Sequence, residues 1–139
     1  MISVVGTWEL GWNTPILEHD LWVYPLRDFG VDKHTMVPVS GIKTEYVLER
    51  DEMSAVLEEE RSNGQTIVFV DERGDVELDA FVHPTNATYV LGKASFSPFA
   101  AHFVNGDLSV RIKTPNQLAT LWPHQAITLV LNDRFKKEQ

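Results

Sequence analysis

Short runs of consecutive apolar and β-branched residues, separated by segments with helical spacing, constrain the fold of this chain most strongly. One such run extends from Ile2 to Trp8, and another, from Thr66 to Val70, is almost entirely apolar. A strand that is apolar on both faces is typical of a parallel sheet that helices cover on both sides. Further short strands are predicted at His34 to Val39, Thr88 to Leu91 and Leu108 to Ile112.

Three segments between or after these strands have the spacing of helices. Leu17 to Phe29 is predicted to be a helix that Pro25 kinks or breaks and that Gly30 ends. Arg50 to Arg61 has apolar residues on one face and charged residues on the others, which is typical of a surface helix. A largely apolar last helix is predicted from Leu118 to Phe135. This alternation predicts an α/β fold with a mostly parallel sheet and helices on both faces.

Length and composition favour one globular domain over residues 1–139. The chain is 43% hydrophobic and 23% charged, which is ordinary for a soluble protein. It has no cysteine, no apolar run of about 18 residues that could cross a bilayer, and no basic segment at its start of the kind found in secretory signals. We therefore expect a cytoplasmic protein that does not enter a membrane.

Charge and motifs exclude several classes of function. The net charge of −8, from 20 acidic and 12 basic residues, counts against simple nucleic-acid binding. The acidic excess is concentrated between Glu45 and Glu60, however, so a basic face could form elsewhere on the protein. The five histidines lack the spacing of metal ligands, and Asp71 to Asp79 is predicted to be a solvated polar loop. A nucleophile elbow and a P-loop are both absent from the sequence.

Three blocks, read in order, resemble the small SpoU-type ribose 2'-O-methyltransferases of the SPOUT superfamily. The first block is a strand, Asn13-Thr14, a helix, Phe29-Gly30 and the strand His34-Thr35-Met36-Val37-Pro38. The second is Tyr89-Val90-Leu91-Gly92, which is similar to the strand before that family's glycine-rich cofactor loop. The third is Val110-Arg111-Ile112-Lys113-Thr114, followed by Thr120-Leu121 and an apolar helix.

The resemblance implies a SPOUT-like fold with a trefoil knot in its C-terminal part, and a homodimer with its sites near the subunit interface. It implies S-adenosylmethionine as cofactor, without a metal, and RNA as substrate, methylated at a ribose 2'-hydroxyl of tRNA or rRNA. The cofactor would lie among three loops, after the third strand, after Leu91, and between Ile112 and Leu121. The implied cofactor-binding residues are Val70, Asp71, Leu91, Gly92, Lys93, Ile112, Thr114, Thr120, Leu121 and Trp122.

The resemblance also implies catalytic residues, Asn13 and Arg27. Asn13 matches the family's motif asparagine, although an asparagine at a loop-to-helix junction is also an ordinary helix cap. The family's arginine position, counted back from Gly30, is occupied by Tyr24, and Arg27 lies one turn later. A guanidinium there could hold a phosphate or assist ribose deprotonation, and its structural alternative is a surface ion pair with a neighbouring aspartate.

Other departures from the family pattern leave a second function open. Lys93 stands where the family has glutamate and glycine, and Trp122 replaces an asparagine, so the indole could stack on a base or fill the core. Near the expected dimer face, Trp12 and Trp22 are either interface anchors or core residues. The alternatives to an enzyme are a catalytically inactive, dimeric binding module of the same fold and an unrelated α/β domain.

Overall fold

The computed structural model describes residues 1–8, 15–38, 48–49, 52–92, 97–115 and 121–139, with backbone only at residues 8, 15–20, 38 and 48–49. The strands are β1 (Ile2–Trp8), β2 (Lys33–Pro38), β3 (Leu48–Glu49), β4 (Thr66–Val70), β5 (Val76–Glu77), β6 (Ala87–Leu91) and β7 (Leu108–Arg111). The helices are α1 (Pro15–Asp28), α2 (Met53–Ser62), α3 (Pro98–His102) and α4 (Pro123–Lys137), and Leu78–Ala80 forms one 3-10 turn.

The described strands form one sheet in the order β3-β2-β1-β6-β4-β7-β5. Each of the six pairings between neighbouring strands is parallel. Parallel neighbours need crossover connections, and α1 supplies the one between β1 and β2. The mostly parallel α/β sheet expected from the sequence is therefore confirmed.

Alternate residues of the strands point into two hydrophobic clusters, one on each face of the sheet. Val4 belongs to the cluster beneath α1 and α4, whereas its neighbour Val5 belongs to the cluster beneath α2. Trp22 of α1 is only 1% exposed and stacks against His34, so the idea that it anchors a subunit interface is wrong and it packs in the core. Helices on both faces explain why the strands lack a polar side.

The predicted helices are found with changed ends. Helix α1 runs through Pro25, and Gly30 ends it with a positive φ of 71°, as predicted. Because Trp22 and Leu26 of the same helix are buried in the core, packing outweighs the backbone hydrogen bond that a proline removes. Helix α4 starts at Pro123, five residues later than predicted, since Trp122 before it has an extended backbone.

The segment from Asp71 to Asp79 is not a simple polar loop, because it contains β5 and the 3-10 turn. Strands β4 and β5 lie on opposite sides of β7, so the short link between them, residues 71–75, has to cross that strand. At the crossing, a Cβ atom added to Gly74 would lie only 2.4 Å from the carbonyl carbon of Val110. A glycine is therefore required where the two backbones pass each other.

Candidate functional site

The carboxyl ends of β4, β6 and β7 lie side by side and gather several residues that the sequence predicts for a cofactor site. Val70 is the register partner of both Leu91 and Val110, so the ends of the three strands are level. Gly92 follows Leu91, and Ile112 lies two residues beyond Val110. Ligands of open parallel sheets bind outside the carboxyl ends of the strands. This edge of the sheet is the candidate site.

The floor of the site is formed by backbone and apolar groups. The side chain of Leu91 is buried in the core, and its carbonyl oxygen accepts a hydrogen bond of 2.6 Å from the hydroxyl of Thr7, a buried residue of β1. Val70 and Ile112 are half-buried and pack against the same core cluster. Gly92 and Thr114 are also half-buried, so an apolar or heteroaromatic group could contact this surface.

The carboxylate of Asp71 is already engaged by donors of this chain. Its Oδ2 accepts a hydrogen bond of 2.7 Å from the Ser97 hydroxyl, and its Oδ1 accepts one of 2.9 Å from the backbone N–H of Arg73. Its own backbone N–H donates to the carbonyl of Val110 at 3.1 Å. The loop after β4 is thereby joined to β7 and to the start of α3, which follows the segment after β6.

Ser97 is a residue that sequence reasoning missed. Its hydroxyl oxygen accepts a 3.1 Å hydrogen bond from the backbone N–H of Ala100 and so caps α3, whose first residue is Pro98. A serine directly before a proline is a recognised helix start, so the signal was present in the sequence. The hydrogen bond from Ser97 to Asp71 depends on residues 26 positions apart, and no local pattern could have revealed it.

Arg111 secures the crossing link from the side of β7. Its Nη1 donates to the carbonyl oxygens of Gly74 and Asp75, at 2.8 and 3.0 Å, and its Nη2 lies 3.4 Å from Glu77. The backbone N–H of Asp75 donates to the hydroxyl of Ser109 at 2.8 Å. The link is therefore held by hydrogen bonds along its length, close to Ile112 and the candidate site.

The start of α4 presents apolar side chains to solvent. Leu121 is 39% exposed and Trp122 is 49% exposed, so neither fills the core. The backbone N–H of Trp122 donates to Gln125 at 3.0 Å, and its indole ring lies 6.2 Å from the ring of His124. Since α4 follows β7 and ends near the loop that precedes β6, it begins at the carboxyl edge of the sheet. A flat, half-exposed indole at this edge can stack on a planar ligand.

Arg27 is not brought to this site. Helix α1 follows β1 and leads back to the amino end of β2, where the backbone N–H of Asp32 donates to the carbonyl of Ile2. Arg27 lies in the last turn, about 18 Å from the start of the helix at 1.5 Å per residue, and its guanidinium sits over the ring of Tyr24. It is therefore at the opposite edge. The predicted site residues Asn13, Lys93 and Thr120 lie outside the described residues.

A buried polar cluster lies away from the candidate site, between β6 and the second half of α4. The side chain of His83 is 2.8 Å from the hydroxyl of Tyr89 and 2.7 Å from Asp133, and Arg134 donates to the same hydroxyl at 3.0 Å. Since Asp133 can only accept, His83 donates from Nε2 and accepts from Tyr89 at Nδ1. Burial lowers the pKa of His83 and raises that of Tyr89. The cluster fastens α4 to the sheet.

Two absences hold for the part of the chain that the structure describes. It contains no group of three or more histidine, aspartate or glutamate side chains that could hold a metal ion. Among its helices, none combines the length and the apolar character that crossing a bilayer requires.

Comparison with solved structures identifies the fold. The chain superimposes on the SpoU methyltransferase AviRb from Streptomyces viridochromogenes in complex with AdoMet, with a TM-score of 0.74 and 15% identity, over 98% of this chain and 60% of AviRb. It matches the TrmH/SpoU tRNA modifying enzyme of A. aeolicus with a TM-score of 0.77 and 16% identity, over 99% of this chain and 76% of that one.

A third structure, which concerns the 2-OH methylation of C/U34 on tRNA, matches with a TM-score of 0.73 and 15% identity, over 99% of this chain and 96% of that one. The sequence matches no protein-family model and no curated protein. The fold is thus that of the SpoU methyltransferases, as the three sequence blocks predicted, and this chain spans only about three fifths of AviRb.

Proposed function

We propose that this chain is an S-adenosylmethionine-dependent RNA methyltransferase. The observation that carries the proposal is that Val70, Leu91, Gly92 and Ile112, which come from separate parts of the sequence, meet at one edge of a sheet with the SpoU fold. The AviRb structure of the same fold is a complex with AdoMet. The geometry supports a ligand site at this edge, and the AviRb complex supports S-adenosylmethionine as the ligand.

The residues at this edge fit that cofactor. Half-buried Val70 and Ile112 offer apolar contact to an adenine ring, and the backbone around Gly92 offers close hydrogen bonding without a Cβ atom. The half-exposed Leu121 and Trp122 would cover the ring from the start of α4. When bound, the cofactor would supply an electrophilic methyl group, and the chain would have to hold the acceptor oxygen in line with it.

The proposed substrate is a ribose 2'-hydroxyl of tRNA or rRNA. The support is that similar structures include a tRNA modifying enzyme and one concerned with 2-OH methylation on tRNA. Because the chain carries a net charge of −8, base stacking on exposed aromatic side chains is a better source of RNA affinity than phosphate contacts. Asn13 remains our candidate for orienting the ribose. The proposal does not extend to Arg27, because its helix places it at the opposite edge.

We also propose a homodimer, formed through α1 and α4. Helix α1 packs beside α4, and together they expose Tyr24, Leu129 and Phe135, each 44% exposed or more. Large exposed apolar side chains on neighbouring helices are typical of an interface between copies. Such a dimer would act on RNA in the cytoplasm.

The trefoil knot belongs to the same proposal. Its support is the crossing of residues 71–75 over β7, with Gly74 packed against the backbone of Val110 and Arg111 bonded to the link. In the proposed knot, the chain after β7 passes through the loop that this crossing helps to close, and the last helix is thereby threaded through that loop.

Methyl transfer is tested with S-adenosylmethionine labelled in its methyl group and a mixture of tRNA and rRNA. We expect label in RNA, in nucleotides whose 3' linkage resists alkaline hydrolysis, because a 2'-O-methyl group blocks attack by the ribose oxygen. The matched control is Gly92→Val, which adds a branched side chain at the cofactor edge and should abolish transfer while remaining folded. Cofactor binding without transfer to any RNA would instead identify a binding module without catalysis.

A further inference from the structure

We propose that the hydrogen bond between Ser97 and Asp71 is a positioning contact that fixes the two sides of the cofactor site relative to each other. The inference rests on the proposed function, since it concerns how that site holds S-adenosylmethionine. Asp71 opens the loop after β4, and Ser97 closes the segment that follows β6. Val70, which would contact the cofactor, directly precedes Asp71, and Ser97 starts the described part of the chain that comes next after Gly92.

The contact has the geometry of a specific junction. The two side-chain oxygens are 2.7 Å apart, and the serine hydroxyl has one proton, which it donates to the carboxylate. The same oxygen accepts from the backbone N–H of Ala100 at 3.1 Å and from Nη2 of Arg73 at 3.2 Å. Every hydrogen-bonding position of the hydroxyl is therefore used.

Both carboxylate oxygens of Asp71 accept hydrogen bonds from this chain, which changes the role that the sequence suggested for it. Its second carboxylate oxygen accepts from the backbone N–H of Arg73 and lies 3.4 Å from the guanidinium Nε of that residue. The carboxylate is thus directed at the neighbouring segment. Asp71 therefore acts on the site through its contact with Ser97 at the start of α3, by positioning rather than by touching the cofactor.

A site whose two walls are already held in place loses less conformational freedom when it binds a ligand. The wall formed by residues 71–75 is fixed to β7 through Arg111, but the start of α3 is joined to that wall through Ser97. Removing the junction leaves β4 paired with β6 and Phe99 of α3 packed against Phe69 of β4, and it frees only the start of α3 relative to Asp71. The expected result is weaker cofactor binding in a chain that remains folded.

The test compares four variants by calorimetric titration with S-adenosylmethionine and by thermal unfolding. Ser97→Thr keeps the hydroxyl and should bind within about twofold of wild type. Ser97→Asp keeps an oxygen that caps α3 but sets a second carboxylate against Asp71 in place of a donor. It should bind about tenfold more weakly, or about 1.4 kcal/mol, and like-charge repulsion should also lower its Tm. Asp71→Ala should weaken binding similarly. The double variant Asp71→Ala with Ser97→Asp should be no weaker than either single one, because both remove the same contact.

The matched control is Asp107→Asn. It weakens an ion pair of 2.6 Å between Arg61 of α2 and the loop before β7, which also fixes the neighbourhood of α3 but not the cofactor edge. It should lower the Tm and leave the Kd unchanged. In turnover, Ser97→Asp should raise KM for the cofactor and leave kcat at saturation unchanged.

Two outcomes overturn the inference and differ from each other. If wild type binds S-adenosylmethionine and Ser97→Asp binds equally well, the positioning role is wrong and the proposed function stands. If Ser97→Asp and Asp107→Asn lose affinity in equal proportion to their loss of Tm, the contact is only structural. Failure of wild type to bind the cofactor at millimolar concentration refutes the proposed function as well.

Discussion

Replacing Gly74 with alanine should destabilise the protein strongly, because this residue lies where residues 71–75 cross β7. A Cβ atom there would be 2.4 Å from the carbonyl carbon of Val110, 2.6 Å from its oxygen and 2.8 Å from the nitrogen of Arg111. All three are backbone atoms of a strand paired on both sides, so no flexible side chain can move aside. The link itself has to lift away from β7.

The size of the effect follows from the hydrogen bonds that such a movement would break. Two hydrogen bonds hold the crossing. Arg111 donates to the carbonyl oxygen of Gly74 at 2.8 Å, and the backbone N–H of Asp75 donates to the hydroxyl of Ser109 at 2.8 Å. Losing both costs about 2 kcal/mol, and overpacking adds about 1 to 3 kcal/mol, so the free energy of unfolding should fall by about 3 to 5 kcal/mol.

Urea unfolding followed by circular dichroism measures this change at a constant m-value. The matched control is Gly30→Ala, since Gly30 has a φ of 71° with no heavy atom within 4 Å of an added Cβ. The free energy of unfolding of Gly30→Ala should fall only by the strain of an alanine in the left-handed conformation, about 1 to 2 kcal/mol. A Gly74→Ala protein within about 0.5 kcal/mol of wild type would show that the two backbones are not in contact.

The buried cluster beside α4 gives two further predictions. Burial holds the pKa of His83 below 6.5, so the folded protein favours the neutral imidazole. As the pH is lowered from 6.5 towards the folded-state pKa, the free energy of unfolding should therefore fall, by up to about 1.4 kcal/mol per pH unit. His83→Asn should flatten that dependence in urea titrations at pH 7 and pH 5, and an unchanged slope would refute the assignment. Burial alone would raise the pKa of Asp133, but hydrogen bonds from Lys137 and His83 outweigh it and hold that pKa below 3.8. The stability that Asp133 contributes is therefore lost only below pH 3.8, outside the interval between pH 7 and pH 5. Arg134→Met removes donors to the carbonyls of Pro84 and Thr85 and to Tyr89, and should lower the free energy of unfolding by about 3 kcal/mol in urea. The matched control Lys136→Met, at an exposed position of the same helix, should lower it by less than about 0.5 kcal/mol.

The sequence predicted the strands whose residues are buried on both faces, because a continuous apolar run as short as Thr66 to Val70 is typical of a strand covered on both sides. It did not predict β3 or β5, which are two residues long, since such strands exist only through their pairing with a longer neighbour. The insertion of β7 between β4 and β5 is also beyond a local pattern, because strand order depends on contacts between distant segments.

The residues of the candidate site likewise fall into those that the sequence could predict and those that depend on contacts between distant segments. The sequence could place Val70, Leu91 and Ile112 together, because parallel strands end at one edge. The same reasoning, applied to the helix after β1, would have placed Arg27 at the other edge, since a crossover helix must return to the start of the next strand. The contact between Ser97 and Asp71 could not be foreseen, because it joins two loops through side chains that give no pattern in the sequence.

Calorimetric titration of the protein with S-adenosylmethionine tests the central claim most directly, because the proposal requires this cofactor at the edge formed by β4, β6 and β7. We predict one site per chain with a Kd in the micromolar range, weakened strongly by Gly92→Val and unchanged by Arg27→Ala at the opposite edge. No detectable binding at millimolar cofactor, or binding that Gly92→Val leaves intact, would contradict the account.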